Sequence, residues 1–345
     1  MFKVIAFLKR DPFTLFMLFF IAAFYAYFLW LAPDRRAAEE EALSHDAVTL
    51  ETMKQREARF VENMKADPAR FEGVALTAGF LLASGLLLDL YAALRKLAGF
   101  RLFRDTHRHK NVFWGLPDVF RLFLLLIFTE VFLIAAEMTA APFFSSEIPK
   151  DLLLMANNLA RNVFVAACVV YWVKKRYGEP LSDIGLTLAG FWKNACKGLA
   201  AYLTALPPLL ALLIAVAGIA HAFGYEPEPQ EVVKIYLKDS SDKYLLFFTF
   251  FVAIAGPLVE EIFFRGFAYK AFRSRWGVKR AALASTALFA ALHLNWAAFF
   301  PIFMLGLLFV YLYEKTGSLV PSMTAHVFHN LIMVGLTLAF KANSI

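Results

Sequence analysis

Residues 245–269 read LLFFTFFVAIAGPLVEEIFFRGFAY. The hydrocarbon core of a bilayer takes about 20 residues of helix, and this run is long and apolar enough to span it. Its second half nevertheless holds Glu260, Glu261 and Arg265. An ionised side chain at the bilayer centre costs about 2.5–3.5 kcal/mol on insertion scales, so charges at that depth mark a functional site by default. Outward from this run, further apolar stretches occupy 12–32, 73–94, 117–138, 152–173, 198–222, 281–297, 299–313 and 320–341. The chain is 60% hydrophobic, against about 45–50% in soluble domains. The fold class expected is all-α, a polytopic transmembrane helical bundle of about 8–9 spans. Barrel strands alternate and need only about 10 residues, which excludes them here. The runs 281–297 and 299–313 are short and closely joined, which predicts a tight or partly re-entrant hairpin near Asn295–Pro301.

The connections set the orientation. Basic residues crowd 95–112, 174–197 and 270–280, which are every second loop. Positive loops stay in the cytoplasm, so these segments and the N-terminus are placed there. The net charge of +7 reflects that bias. No long basic face stands free of the apolar runs, which argues against nucleic acid as a partner. The run 12–32 exceeds a signal-peptide core of about 7–15 residues and is read as a retained signal anchor. An anchor with short loops looks bacterial, so the expected location is the bacterial cytoplasmic (inner) membrane. Residues 1–180 are read as an N-terminal membrane module with about four spans and an external charged loop at 33–72, and 181–345 as the core that holds the chemistry.

Several polar or aromatic groups receive structural roles. Trp114, Trp172, Trp192, Trp276 and Trp296 fall near span ends and are expected to anchor at the membrane–water interface. Cys168 and Cys196 make neither a Cys-x-x-Cys spacing nor a disulfide framework. Glu130 and Glu137 share one face of the third span and Arg161 lies in the fourth, which predicts a structural ion pair between Arg161 and one of the glutamates.

The remaining polar groups carry the chemistry. Glu260 and Glu261 are neighbours, so their carboxylates point about 100° apart on a helix. Glu261 and Arg265 are four apart in the favourable acid-first order, and are expected to pair and to anchor the helix at its cytoplasmic boundary. Glu260 is left without a local cation, and a desolvated carboxylate of that kind suits general acid or base work near neutral pH. Pro257 removes a backbone donor just before the pair. It predicts a kink that admits water and a substrate strand, or else an ordinary transmembrane proline. His293 lies in its own apolar run, roughly 18 Å deep at 1.5 Å per residue. His326 and Asn330 are four apart on one face and His329 borders it; periodicity alone does not decide which histidine faces the site. Histidine and asparagine are fitting donors to a developing oxyanion.

These motifs resemble the CPBP family, also called the Abi or CAAX-protease family, intramembrane proteases that include prenyl-protein endopeptidases. Glu260-Glu261-Ile-Phe-Phe-Arg265 is similar to its Glu-Glu-x-x-x-Arg motif, Phe289-x-x-x-His293 to its second and His326-x-x-x-Asn330 to its third. The resemblance spans roughly residues 181–341. It implies that Glu260 with His293 activates a water, that His326 and Asn330 stabilise the oxyanion, and that Glu261 and Arg265 support the site. A zinc-dependent version would use Glu260, His293 and His326 as three ligands with an open fourth position. No His-Glu-x-x-His is present and asparagine is a poor zinc ligand, so chemistry without a metal or cofactor is expected. The expected substrate is a membrane-tethered protein or peptide cut near the cytoplasmic face. Competing classes are an ion- or proton-coupled transporter using the same buried groups, and a non-catalytic scaffold. No internal repeat of the transporter kind is found.

Overall fold

The computed structural model describes residues 11–30, 50–98, 110–140, 150–226, 229–238 and 244–344. Residues 1–10, the first part of the charged external segment and most of the first basic loop lie outside them. Within the described residues every regular element is helical. In chain order these are α1 (Pro12–Trp30), α2 (Leu50–Ala66), α3 (Glu72–Leu97), α4 (Leu116–Ala140), α5 (Lys150–Tyr171), α6 (Phe191–Ala222), α7 (Glu231–Leu237), α8 (Leu245–Ala291), α9 (Trp296–Thr316) and α10 (Val320–Asn343). Short 3-10 turns and a π turn at Trp172–Arg176 join some of them.

Among the described residues, 7 helical stretches are long and apolar enough to cross a membrane, fewer than the eight or nine expected. The expected spans 245–269 and 281–297 belong to the single 47-residue stretch α8. A straight helix of that length would run about 70 Å, more than twice the hydrocarbon thickness. Gly277 relieves this: at φ +75° it breaks the helix inside the basic segment, a conformation glycine adopts without a Cβ penalty. After Gly277 the helix reaches only to Ala291. The chain turns through 292–295, where Leu294 has φ +50° and the Asn295 side chain caps α9 by accepting from the Ala298 N–H at 3.0 Å. The hairpin is therefore tight, and α9 is a full-length helix. Helix α1 contributes a shorter apolar stretch, Pro12–Tyr27.

Charges sort the bundle into two ends. At one, Lys110 pairs with Asp183 at 3.6 Å, the Val112 N–H meets Ser274 Oγ at 3.3 Å, Lys270 donates to the Asp183 carbonyl, and Arg273 pairs with Glu314 at 2.9 Å. The three basic segments thus meet there as far as they are described. At the other end, Lys54 pairs with Glu226 at 2.7 Å and Lys238 with Asp151 at 3.0 Å, and Asn63 donates to the Asn343 carbonyl at 2.9 Å.

The largest core cluster draws Met17, Leu122 and Val169 from the first half of the chain together with Phe263, Phe267 and Tyr313 from the second. Trp114 joins this core. It is 2% exposed, stacks on Phe267 with centroids 5.2 Å apart, and donates its indole N–H to the Phe267 carbonyl at 3.0 Å. Its expected interfacial role is thereby corrected: the buried indole finds a backbone acceptor inside the bundle, whereas Trp192 and Trp296 remain exposed. The predicted ion pair forms between Arg161 and Glu130 at 2.5 Å, and Glu137 accepts from Asn157.

Close helix approach is bought by glycine. A Cβ on Gly198 of α6 would overlap the Pro321 carbonyl of α10, and one on Gly85 of α3 would overlap the Leu203 carbonyl of α6. Gly198→Val is expected to lower the thermal midpoint of the purified protein by several degrees, in line with an overpacking cost of about 1–3 kcal/mol. An unchanged midpoint in a thermal melt would refute that contact.

Candidate active site

The site is built on α8, whose ladder changes register around the glutamates. Phe251–Ala255 and Ile262–Tyr269 are π-helical, and the intervening Gly256–Glu261 is an α-turn. Such bulges are rare and favour functional sites. The first has a cause in the sequence. Within it the Gly256 N–H bonds five residues back, to Phe251. The next donor in that register would be residue 257, reaching Val252, but Pro257 has none. Asn330 of α10 supplies it, donating Nδ2 to the Val252 carbonyl at 2.8 Å. The proline therefore creates an acceptor that ties α8 to α10, about two turns before the glutamates.

Glu261 and Arg265 pair as expected, Oε1 to a terminal guanidinium nitrogen at 2.8 Å. Both are sealed inside the bundle: Glu261 is 0% and Arg265 1% exposed. The reason is the cage around the cation. The guanidinium lies 4.4 Å from the Phe289 ring centroid and 5.0 Å from that of Phe309, and it reaches the Gly306 carbonyl at 3.4 Å. Desolvated cation–π contacts contribute about 2 kcal/mol each. Gly306 is required by the same packing, since a Cβ there would come within 3.3 Å of the guanidinium and 2.7 Å of Thr286. Glu261 Oε2 and Arg265 Nε have no hydrogen-bond partner among the described residues, so the pair is held by a single contact and not by a bidentate fork.

His326 completes the cluster. Its Nδ1 lies 3.1 Å from the same Glu261 oxygen, and its Nε2 faces Glu260 Oε2 at 3.8 Å. A carboxylate only accepts, so Nδ1 carries a proton and Nε2 is the nitrogen turned toward Glu260. The Phe309 ring stacks on His326 with centroids 4.8 Å apart. Glu260 itself keeps about a third of its side chain exposed, 32%, so it is less desolvated than the sequence suggested.

His293 is not at mid-span. It sits in the turn just past the end of α8, with Nδ1 on the Phe289 carbonyl at 2.9 Å. A carbonyl is an acceptor, so this contact places a proton on Nδ1 and leaves Nε2 uncommitted to it. The Phe289 ring links the two histidines edge-on, at 5.0 Å from His293 and 5.8 Å from His326. No direct hydrogen bond joins His293 to Glu260. His329, which sequence periodicity left undecided, points elsewhere: its Nδ1 meets the hydroxyl of Tyr202 on α6 at 3.1 Å. Phe309, Gly306 and Tyr202 carried no signal in the sequence, because apolar residues and a tyrosine inside apolar runs have no contrast there.

Among the described residues, no three His, Cys, Asp or Glu side chains are grouped so as to hold a metal ion. Glu260, His293 and His326, the ligands a zinc-dependent version would use, are not grouped to hold a metal ion in this arrangement.

Residues 242–332 match the family described as type II CAAX prenyl endopeptidase Rce1-like. That segment contains Glu260, Glu261, Arg265, His293, His326 and Asn330, so the family likeness rests on the part of the chain that builds the site. Neither a curated protein nor a solved structure gives a match.

The buried pair yields a stability cycle. Arg265→Met is expected to destabilise the protein by about 3–5 kcal/mol, because it strands Glu261 as an uncompensated charge. Adding Glu261→Gln should recover a large part of that loss. Thermal unfolding of both single variants and the double variant measures the coupling; additive losses would show that the two side chains act independently.

Proposed function

We propose that the protein is an intramembrane endopeptidase that hydrolyses a peptide bond of a membrane-tethered protein or peptide, with Glu260 as the base that activates water. The single observation carrying this is the placement of Glu260. Its carboxylate is the accessible member of an otherwise sealed charge cluster, 3.8 Å from His326 Nε2. Two groups at that separation can both contact one water. The match to the Rce1-like family, whose description is that of an endopeptidase, supports a protease of the membrane in general.

The chemistry follows from the groups present. Glu260 takes a proton as the water oxygen bonds to the scissile carbonyl carbon, and the carbonyl oxygen becomes an oxyanion. His293 presents an acceptor nitrogen that helps orient the water. His326 is clamped at Nδ1 by Glu261 and presents Nε2 beside Glu260. Asn330 spends one amide hydrogen on Val252 and keeps the second for the oxyanion, on the side of α10 that His326 shares. When the intermediate collapses, the C–N bond breaks and Glu260 returns its proton to the leaving amine. The products are one carboxylate terminus and one amine terminus, and no other reactant is consumed.

Glu261 and Arg265 act by holding His326 in place, not by touching substrate. The basic end of the bundle is assigned to the cytoplasm by the positive-inside bias. His326 lies six residues into α10 from that end, roughly 9 Å along the helix, which supports cleavage in the cytoplasmic half of the membrane.

Purified protein in nanodiscs should cleave members of a membrane-tethered peptide library. Glu260→Gln should reduce turnover by at least about 10²-fold, the usual scale for losing a general base, while its thermal midpoint stays near that of the wild type. Each protein is assayed with and without a chelator. Turnover retained in Glu260→Gln would sink the mechanism; loss with chelator that zinc restores would replace it with a metal-dependent one.

A further inference from the structure

The first turns of α6 carry a charge that the described residues do not balance. Lys193 and Lys197 are four residues apart and share one face of the helix. Like charges at that spacing are destabilising, and α6 holds no acidic residue. Of the acids at this end of the bundle, Asp183 is held by Lys110 at 3.6 Å and Glu314 by Arg273 at 2.9 Å. Among the described residues neither lysine has an ion-pair partner, and Lys197 donates to Asn194 Oδ1 at 3.3 Å. No side chain caps the start of α6, whose positive end favours an anion. Trp192, 78% exposed beside Lys193, suits the level of the lipid headgroups.

An apolar groove of about 470 Å³ between α6, α8 and α10 begins at the same turns. Asn194, which accepts from Lys197, donates its own amide to the Ala189 carbonyl at 3.3 Å. Ala189 lies between Leu188 and Phe191, which line one end of the groove. Two consecutive hydrogen bonds thus tie the Lys197 ammonium to the groove mouth. From there Val320, Val327 and Leu331 continue along one face of α10, flanked by Leu258 of α8, and no charged side chain lines the groove. Val320 to Leu331 spans roughly 16 Å of helix, about half the hydrocarbon core of a bilayer, which is the depth of one leaflet. Leu188 is 79% and Leu331 41% exposed, so the groove lies open along its side.

We infer that this groove binds an anionic phospholipid of the leaflet at the basic end of the bundle. One acyl chain lies along α10, and the phosphate is held by Lys193, Lys197 and the start of α6. A free phosphate would leave the groove unfilled, and a neutral lipid would leave the lysines unbalanced. Val327 is about 100° around α10 from His326, so the lipid and the glutamate cluster use different faces of one helix, and the site does not rest on the protease reading. The plain alternative is that the two lysines only mark the end of a span, as basic loops do.

Purified full-length protein in detergent is titrated with phosphatidylglycerol or phosphatidylcholine of the same acyl chains, and bound lipid is followed by native mass spectrometry. Phosphatidylglycerol should bind the more tightly. Lys193→Gln with Lys197→Gln should weaken its Kd by about fivefold for each lysine, to near that of phosphatidylcholine, without moving the thermal midpoint in lipid-free detergent. Lys279→Gln with Arg280→Gln, a basic pair of the same end that does not line the groove, should bind as the wild type does. Val327→Trp, which fills the groove, should weaken both lipids. Equal affinity for the two headgroups, or equal losses in the two basic-pair variants, overturns the inference, because the lysines then act only as part of a diffuse field. Undiminished binding in Val327→Trp overturns it as well, as does wild-type affinity for dihexanoyl phosphatidylglycerol, whose short chains cannot fill the groove.

Discussion

The Glu261 carboxylate is the constraint around which the core is arranged. It is fully buried, and one of its oxygens accepts from Arg265 at 2.8 Å and from His326 at 3.1 Å. A charge in that position persists only if its partners are brought to it, since an uncompensated one costs several kcal/mol. Arg265 is local, one turn away on α8. His326 is not: it requires α10 to be pressed against α8. The cation in turn needs a desolvated cage, which Phe289 supplies from the far end of α8 and Phe309 from α9. One buried carboxylate thus dictates that three helical segments meet, and meeting there sets the imidazole of His326 beside Glu260.

The backbone of α8 makes this geometry possible. Two adjacent glutamates on a regular helix point about 100° apart, so one faces the cage and the other faces away from it. The π segments on either side let the short α-turn carrying them sit out of register with the rest of the span. Pro257 matters less as a kink than as a missing donor. The carbonyl it leaves unpaired is capped by Asn330, which locks α10 at a second point beyond His326. Asparagine in this position is therefore a structural tie that commits one of its two amide hydrogens.

Much of this was legible in the sequence, for a physical reason. In an apolar run any ionisable residue stands out, so Glu260, Glu261, Arg265, His293, His326 and Asn330 were visible, as was the Arg161–Glu130 pair. Charge alternation between loops correctly sorted the segments into two ends. The failures share a cause. Hydropathy reads 245–269 and 281–297 as two runs, and the structure has them as two arms of one stretch parted by the break at Gly277. It also places a residue by distance along a run, so His293 was put deep in a span when α8 had already ended at Ala291. Trp114 was judged by its position near an end, although its indole had a backbone partner inside.

What aims the polar groups is written in residues that carry no contrast. Helix α9 holds none of the motif residues, yet Phe309 stacks on His326 while Gly306 makes room for Arg265. Tyr202 is one aromatic among many in an apolar run, yet its hydroxyl meets His329 Nδ1 at 3.1 Å and ties α6 to α10. The three histidines are chemically identical in the sequence. They differ in the structure because a carbonyl, a carboxylate and a hydroxyl sit at their respective Nδ1 atoms. A carbonyl and a carboxylate accept a proton from Nδ1, whereas a hydroxyl can donate to it or accept from it. The groups behind the histidines therefore set what surrounds each ring, and a motif that records only the histidines leaves those groups out.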